Sequence, residues 1–334
     1  AARHTKHVTL RKAETSSTSP GRGRTAFLGA GNYASRVLIP AFKSAGAELH
    51  TIVSAGGTNS VVHGNRMGFS HASSDSAAVI ADPSIDTVVI ATRHDSHAAF
   101  TVAALNAGKH VFVEKPLAMD RAGLTEIEAA YADANRQLMV GFNRRFAPQI
   151  QTMKSLLDAS AEPKSFIMVM NAGAIPADHW TQDPAVGGGR IIGEACHYID
   201  LMRYLAGAEI TSVQARRMGD ASSVAVTDDK VSITLGFADG SFGTIHYLAN
   251  GGASFAKERI EVFSAGGTLQ LDNFLKLRGY NWRGFRKSTL RRQDKGQLAC
   301  AKAFLSAVQM ASKAPDAAAI PASELFEVAR VTLD

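Results

Sequence analysis

Cysteine is nearly absent. Cys196 and Cys300 are the two in 334 residues, too few for a disulfide framework and suited to a reducing cytosol, so a cytoplasmic location is expected. Long apolar runs are missing too: no stretch reaches the roughly eighteen residues that a membrane-spanning helix needs. Residues 1–20 lack the apolar segment of a signal peptide. The Gly-x-Ser-x-Gly turn of acyl-transfer enzymes does not occur. The pairs His4-x-x-His7 and His94-x-x-His97 have no thiol or carboxylate companions at ligand spacing, so no metal site is expected. No internal repeat is visible.

The chain is 46% apolar and 20% charged with a mean hydropathy of −0.03, which is a globular composition. Its length suits two domains rather than one core. The net charge of +6 is concentrated in two places. One lies before residue 25. The other runs from Arg278 through Arg283, Arg286, Lys287, Arg291 and Arg292 to Lys295, interleaved with Tyr280, Trp282 and Phe285. Such a block can serve nucleic acid. A solvated rim is the preferred reading, with attraction of an anionic substrate between the two, so no nucleic-acid or membrane partner is expected. The chain starts without methionine and stops within a helical pattern, so it reads as part of a longer polypeptide, with residues 1–20 a linker or disordered.

The first half alternates strand and helix. Strands are expected at Thr25–Leu28, Leu49–Val53, Thr87–Ala91, His110–Val113 and Leu138–Val140, with helices at Asn32–Ala45, His97–Ala107 and Arg121–Asn135. That alternation predicts a doubly wound parallel sheet over residues 21–143. Residues 144–294 change character. Helices at Ala147–Ala159 and Glu194–Leu205 accompany strands at Ser165–Asn171, Ser212–Arg217, Lys230–Phe237, Phe242–Ala249, Lys257–Ser264 and Thr268–Asp272. Asp239-Gly240 and Ala265-Gly266 mark hairpin turns. A large, mainly antiparallel sheet in an α+β domain follows. Residues 295–334 form helices expected to pack back on the first domain.

Gly29-Ala30-Gly31-Asn32-Tyr33-Ala34 is a G-x-G-x-x-A turn between strand and helix. Gly29 permits the turn, Gly31 admits a pyrophosphate, Ala34 brings helix and sheet together, and Asn32 and Tyr33 flank the helix start. An acidic residue about twenty positions on marks NAD sites. Here the second strand runs into Ser54, and Glu48 precedes the strand. Ser54 and Asn59, with His63 or Arg66 as cations, suit a 2′-phosphate, which tilts the cofactor from NAD toward NADP. Val111–Ala118 (Val-Phe-Val-Glu-Lys-Pro-Leu-Ala) places Lys115 at the carboxyl end of a buried strand, where ligands of open parallel sheets bind. Thr92, Arg93, His94 and His97 follow another strand end and are candidate cofactor contacts, although Arg93 and His97 can equally cap the next helix.

These segments, with Gly141-Phe142-Asn143-Arg144-Arg145-Phe146 and Gly187-Gly188-Gly189 leading to His197-Tyr198-Ile199-Asp200, resemble the glucose–fructose oxidoreductase / inositol dehydrogenase (Gfo/Idh/MocA) family over roughly residues 24–330. The resemblance implies a Rossmann domain plus an open-faced sheet domain that pairs into homo-oligomers. It also implies hydride transfer between NAD or NADP and a secondary alcohol or ketone of a sugar, cyclitol or nucleotide sugar. By the same resemblance Lys115 holds the reacting oxygen, Glu114 orients that lysine or faces the cofactor, and His197 accepts the proton. Many relatives carry an aspartate four residues before the histidine. Gly193 stands there, so Glu194 is expected to take over part of that role. Asn143, Arg144 and Arg145 line the substrate cleft or, for the arginines, cap helices. The turn residues and Gly193-Glu194 look like a subgroup fused behind a zinc alcohol-dehydrogenase-like domain. An NAD-dependent glycosidase of the same fold and an inactive cofactor-binding regulator are the alternatives.

Overall fold

The computed structural model describes residues 6–11, 23–311 and 318–334. They form two compact units, Ala1–Gly141 with Gln297–Ala322 and Phe142–Gly296 with Ser323–Asp334.

The first unit is a seven-stranded sheet flanked by helices. In chain order it runs β1 (His7–Thr9), β2 (Arg24–Leu28), α1 (Ile39–Ser44), β3 (Glu48–Val53), α2 (Thr58–Met67), β4 (His71–Ser73) and α3 (Ser76–Ala81). It continues with β5 (Thr87–Ile90), α4 (His97–Asn106), β6 (His110–Val113), α5 (Arg121–Ala134) and β7 (Leu138–Val140). The spatial order is β1-β4-β3-β2-β5-β6-β7, parallel throughout except for β1. Ala26–Leu28, Val88–Ile90 and Val111–Val113 are buried without alternation, as strands covered on both faces must be. Before α1 the chain makes a π-helical turn, Ala34–Leu38. Pro40 has no N–H to give Arg36, and its ring crowds that carbonyl, so the helix widens just ahead of it.

Residues 1–20 are not all linker. β1 pairs antiparallel with β4, His7 opposite Ser73 and Thr9 opposite His71, because an open edge of β4 would leave a row of backbone groups without partners. The other residues of that expected linker, apart from Lys6, Leu10 and Arg11, lie outside the described residues. α2, β4 and α3 were not legible as elements. α2 carries Gly64 in mid-helix, a poor helix former. A Cβ there would stand 2.5 Å from Leu10 Cδ1 and 3.0 Å from Ile52 Cγ2, so close packing requires glycine.

The second unit opens with a 3₁₀ turn, Asn143–Phe146, then α6 (Pro148–Leu157), β8 (Ser165–Asn171) and α7 (Cys196–Ala206). β9 (Ile210–Arg217), β10 (Lys230–Phe237), β11 (Phe242–Leu248), β12 (Glu258–Ser264), β13 (Gly267–Asp272), β14 (Lys276–Tyr280) and β15 (Lys287–Thr289) follow. The eight strands lie in the order β15-β14-β13-β12-β8-β11-β10-β9. Each pairing is antiparallel except β8 with β11. Alternate residues (Val231, Ile233, Leu235; Phe166, Met168, Met170; Ile260, Val262) are buried, and the residues between them form an outward face. α7 seats closely on the sheet at Gly243, where a Cβ would meet Met202 Sδ at 2.8 Å. Both hairpin signals form turns, with Gly240, Ala265 and Gly266 at positive φ. Part of the basic block belongs to β14 and β15, with Arg278 paired to Asp272 at 3.1 Å.

The chain then returns to the first unit with α8 (Gln297–Met310), whose Phe304 meets Phe42 and Phe112 edge-on. It closes with α9 (Ala322–Leu333), nearly all of which belongs to the second unit. The expectation that both terminal helices join the first domain is corrected for α9. Glu324 bonds Arg145 at 2.8 Å and Glu327 bonds Arg203 at 2.9 Å, ion pairs that tie the helix to the second unit beside its buried Leu325 and Val328.

Candidate active site

The order of the first sheet reverses between β2 and β5, so the loops after these strands part at their carboxyl ends and leave a crevice. Gly29 starts the loop after β2 at φ +110°. A Cβ there would lie 2.3 Å from the Ala91 carbonyl oxygen, so glycine alone fits between the two loops. A Cβ on Gly31 would meet nothing within 4 Å, which leaves open space above the backbone. Gly31 O accepts from Ser35 N at 2.9 Å, closing the turn. Ala34 is buried, whereas Asn32 and Tyr33 are exposed. The turn therefore fits the pyrophosphate of a dinucleotide: tight at one glycine, open at the next.

β3 ends without a carboxylate. Ser54 Oγ accepts from Ser60 N at 3.0 Å and so caps the start of α2, keeping its own proton to offer. After β5, Ser96 Oγ donates toward both Thr92 Oγ1 (2.7 Å) and Arg93 O (2.9 Å), which folds the loop on itself. His94 is buried 5.5 Å, ring to ring, from His97. His97 is fully buried, and this corrects its reading as a cofactor contact. Its ring nitrogens face backbone carbonyls, Nδ1 at 2.8 Å from Pro116 O and Nε2 at 3.3 Å from Thr92 O. Burial holds its pKa down at about 4.

Lys115 follows β6, half-buried, joined to Pro116 by a cis peptide bond. Glu114 beside it is buried, its carboxylate over Gly141, where a Cβ would come within 2.8 Å of Oε1. The first unit thus brings Gly29, Gly31, Thr92, Arg93, Glu114 and Lys115 to one edge of its sheet.

The second unit holds the other candidates. Sequence reasoning places Arg144 and Arg145 along a substrate cleft, but the structure commits both to buried carboxylates. Arg144 Nε and Nη2 donate to Glu258 Oε1 at 3.0 and 2.9 Å, with the guanidinium stacked on Tyr198. Arg145 bonds Asp200 and Glu324. A buried guanidinium demands such partners, and neither side chain is more than 8% exposed. Asn143 is also buried, donating from Nδ2 to Lys295 O at 2.6 Å.

His197 is 4% exposed on α7, its ring 6.1 Å from that of Phe142. A π-helical turn, Ile191–Ala195, leads into the helix and carries Glu194. That carboxylate accepts from Arg190 at 3.0 Å and from the Tyr247 hydroxyl, with Lys257 Nζ at 3.5 Å. Burial pushes its pKa up, but the Lys257 charge, the Tyr247 hydroxyl and Arg190 outweigh that and hold it at about 2. Arg190 was findable, since it lies four residues before Glu194 at ion-pair spacing. Tyr247 and Lys257 were not, because β11 and the approach to β12 bring them in. Among the described residues no group of three or more His, Cys, Asp or Glu side chains is arranged for a metal ion; His4 lies outside the described residues. No helix among them is long and apolar enough to cross a membrane.

Residues 23–142 match the model of the GFO/IDH/MocA oxidoreductase family, NAD-binding Rossmann fold, and residues 150–270 match the model of its C-terminal domain. The chain belongs to the GFO/IDH/MocA family. Among curated members it is 28% identical over 215 residues to a myo-inositol 2-dehydrogenase of Thermotoga maritima, covering 62% of this chain and 63% of that protein. It is 29% identical over 218 residues to a levoglucosan dehydrogenase of Pseudarthrobacter phenanthrenivorans, 55% of each chain. The chain thus matches between about two fifths and two thirds of the length of these and other curated relatives. A levoglucosan dehydrogenase in complex with NADH and levoglucosan superposes with a TM-score of 0.79 at 22% identity, covering 92% of this chain and 95% of that one. An aldose–aldose oxidoreductase from Caulobacter crescentus gives 0.77 at 24%, covering 93% and 95%. At these identities the structural likeness establishes the GFO/IDH/MocA fold.

Proposed function

We propose that this chain is an NAD(P)-dependent dehydrogenase or reductase that interconverts a secondary alcohol and its ketone on a sugar, cyclitol or nucleotide sugar. The observation that carries the reading is Lys115 at the carboxyl end of β6, on the same sheet edge as a glycine turn with open space over Gly31. Relatives named as inositol and levoglucosan dehydrogenases support the substrate class. Bound at that turn, NAD or NADP supplies the hydride acceptor or donor. The Lys115 ammonium stabilises negative charge developing on the substrate oxygen. His197 takes the hydroxyl proton in the oxidative direction and returns it in the reductive one. Glu194, ionised across the working range, contributes fixed negative charge one helical turn before His197 and carries no proton itself.

The missing carboxylate at the end of β3 leans the cofactor toward NADP. Exposed Ile167, Phe242 and Phe263 on the outward face of the second sheet support homo-oligomerisation through that face.

Fluorescence titration with NADH and NADPH, then a scan of cyclitols, anhydrosugars and nucleotide sugars for formation or loss of reduced nicotinamide, tests the proposal. Binding of at least one cofactor and turnover of at least one polyol are expected. Lys115→Met should lower kcat about 10²–10³-fold while cofactor binding persists. Failure of both cofactors to bind, or full activity in Lys115→Met, refutes it.

A further inference from the structure

His97 is a buried histidine with no ligand to serve. It is 0% exposed, so nothing in the crevice touches it, yet its ring lies between two loops that leave neighbouring strands. Pro116, whose carbonyl Nδ1 meets at 2.8 Å, directly follows Lys115. Thr92, whose carbonyl Nε2 meets at 3.3 Å, is in the loop that follows β5. A neutral imidazole carries one N–H, and the shorter contact makes Nδ1 the donor. The residue is also the first of α4, so the start of the helix sets where the ring stands.

We propose that His97 is a positioning residue: by donating from Nδ1 to the Pro116 carbonyl it fixes the backbone that aims the Lys115 ammonium. The role rests on the reading of Lys115 as the group at the reacting oxygen. Packing alone does not require it, since an apolar side chain of similar volume would fill a buried site without offering an N–H to the Pro116 carbonyl. Burial keeps the ring neutral at working pH, so the clamp adds no positive charge beside the lysine. The charged side chains that act on it are Lys115 and Asp95, and the ring of His94 packs beside it.

Three variants separate positioning from packing. In His97→Asn the carboxamide nitrogen stands where Nδ1 stands, in His97→Gln it stands where Nε2 stands, and His97→Phe keeps volume but has neither. Lys115 acylation by a small amine-reactive reagent, followed by peptide mass spectrometry on the whole protein, needs no substrate. Cofactor affinity, kcat, KM and thermal midpoint are measured alongside. His97→Asn should label and turn over within about threefold of the wild type. His97→Gln should change the labelling rate severalfold and lower kcat about 10²-fold, with KM and cofactor affinity nearly unchanged, because a small misplacement of the reacting group is felt in turnover. His97→Phe should do the same wherever it folds, and His97→Gln decides the matter if it does not. Equal labelling in His97→Gln and the wild type, or identical behaviour of the Asn and Gln variants, overturns the proposal. A wild type that binds neither NADH nor NADPH defeats the dehydrogenase reading instead, and the labelling comparison still decides the clamp.

Discussion

Glu258 offers the sharpest test of what holds the second unit together. The side chain is 1% exposed and accepts two bonds from Arg144 and one from the Tyr198 hydroxyl, with Lys295 paired on its other oxygen. Glu258→Gln keeps the shape and removes the charge. It leaves Arg144 and Lys295, 8% and 18% exposed, without their counter-ion. Breaking a buried ion pair from one side costs about 3–5 kcal/mol. For a unit of this size that is a fall of about 1–2 M in the urea midpoint. Trp180 and Trp282 both lie in the second unit, so tryptophan fluorescence reports on it directly. The double variant Glu258→Leu with Arg144→Met removes both charges and should cost much less than the two single losses added together. A loss below about 1 kcal/mol in Glu258→Gln, or strict additivity in the double variant, would refute the argument. The pH dependence has a definite sign. Arg144 and Lys295 hold the Glu258 carboxyl below its ordinary value of 4.5 against the opposing effect of burial. The stabilisation is therefore complete above about pH 4.5 and is lost as pH falls through the lowered value.

The first unit should weaken on acidification for the opposite kind of group. His50, His97 and His110 are each held by burial at about 4, below 6.5, so the unfolded chain binds more protons between those values. Stability is complete above pH 6.5 and declines toward pH 4, with about 3 kcal/mol from fully buried His97 alone; hydrogen exchange in α4 and β6 measures it. Gly29→Ala forces a Cβ against the Ala91 carbonyl and should destabilise the unit by on the order of 3 kcal/mol, seen in chemical denaturation. Gly31→Val meets open space, so it should leave stability nearly unchanged while abolishing dinucleotide binding in a fluorescence titration. Glu194→Gln should lower turnover sharply. Because the wild-type carboxyl stays near 2, steady-state kinetics should show no change in the pH profile from Glu194 above pH 4.

Local grammar made the first unit legible. The glycine turn, the Lys115-Pro116 strand end and the buried apolar strands each declare themselves within a few residues. The outward and inward faces of the second sheet were readable for the same reason, through alternation along single strands. What escaped depended on partners distant in the chain. Arg144 reads as a basic loop residue until Glu258, 114 positions on, arrives at the start of β12 to claim it. α9 has the pattern of any amphipathic helix, and nothing in it says that Glu324 and Glu327 will find Arg145 and Arg203. His97 looked like a loop residue facing a ligand because spacing cannot tell a ring that points out from one that points in. β1 was too short to announce itself before β4 was there to receive it.

α7 is fastened along its length: Tyr198 to Glu258, Asp200 to Arg145, Arg203 to Glu327. His197 sits at the head of this fixed rail. By contrast, most of the hydrogen bonds within residues 173–189, which lead into it, are made between near neighbours, such as Gln182 to His179 and Gly187 to Asp183. Substitutions in that approach segment therefore disturb mostly local ties, Gly187 apart, whereas each charged residue changed on the helix behind it breaks a bond to a distant part of the unit.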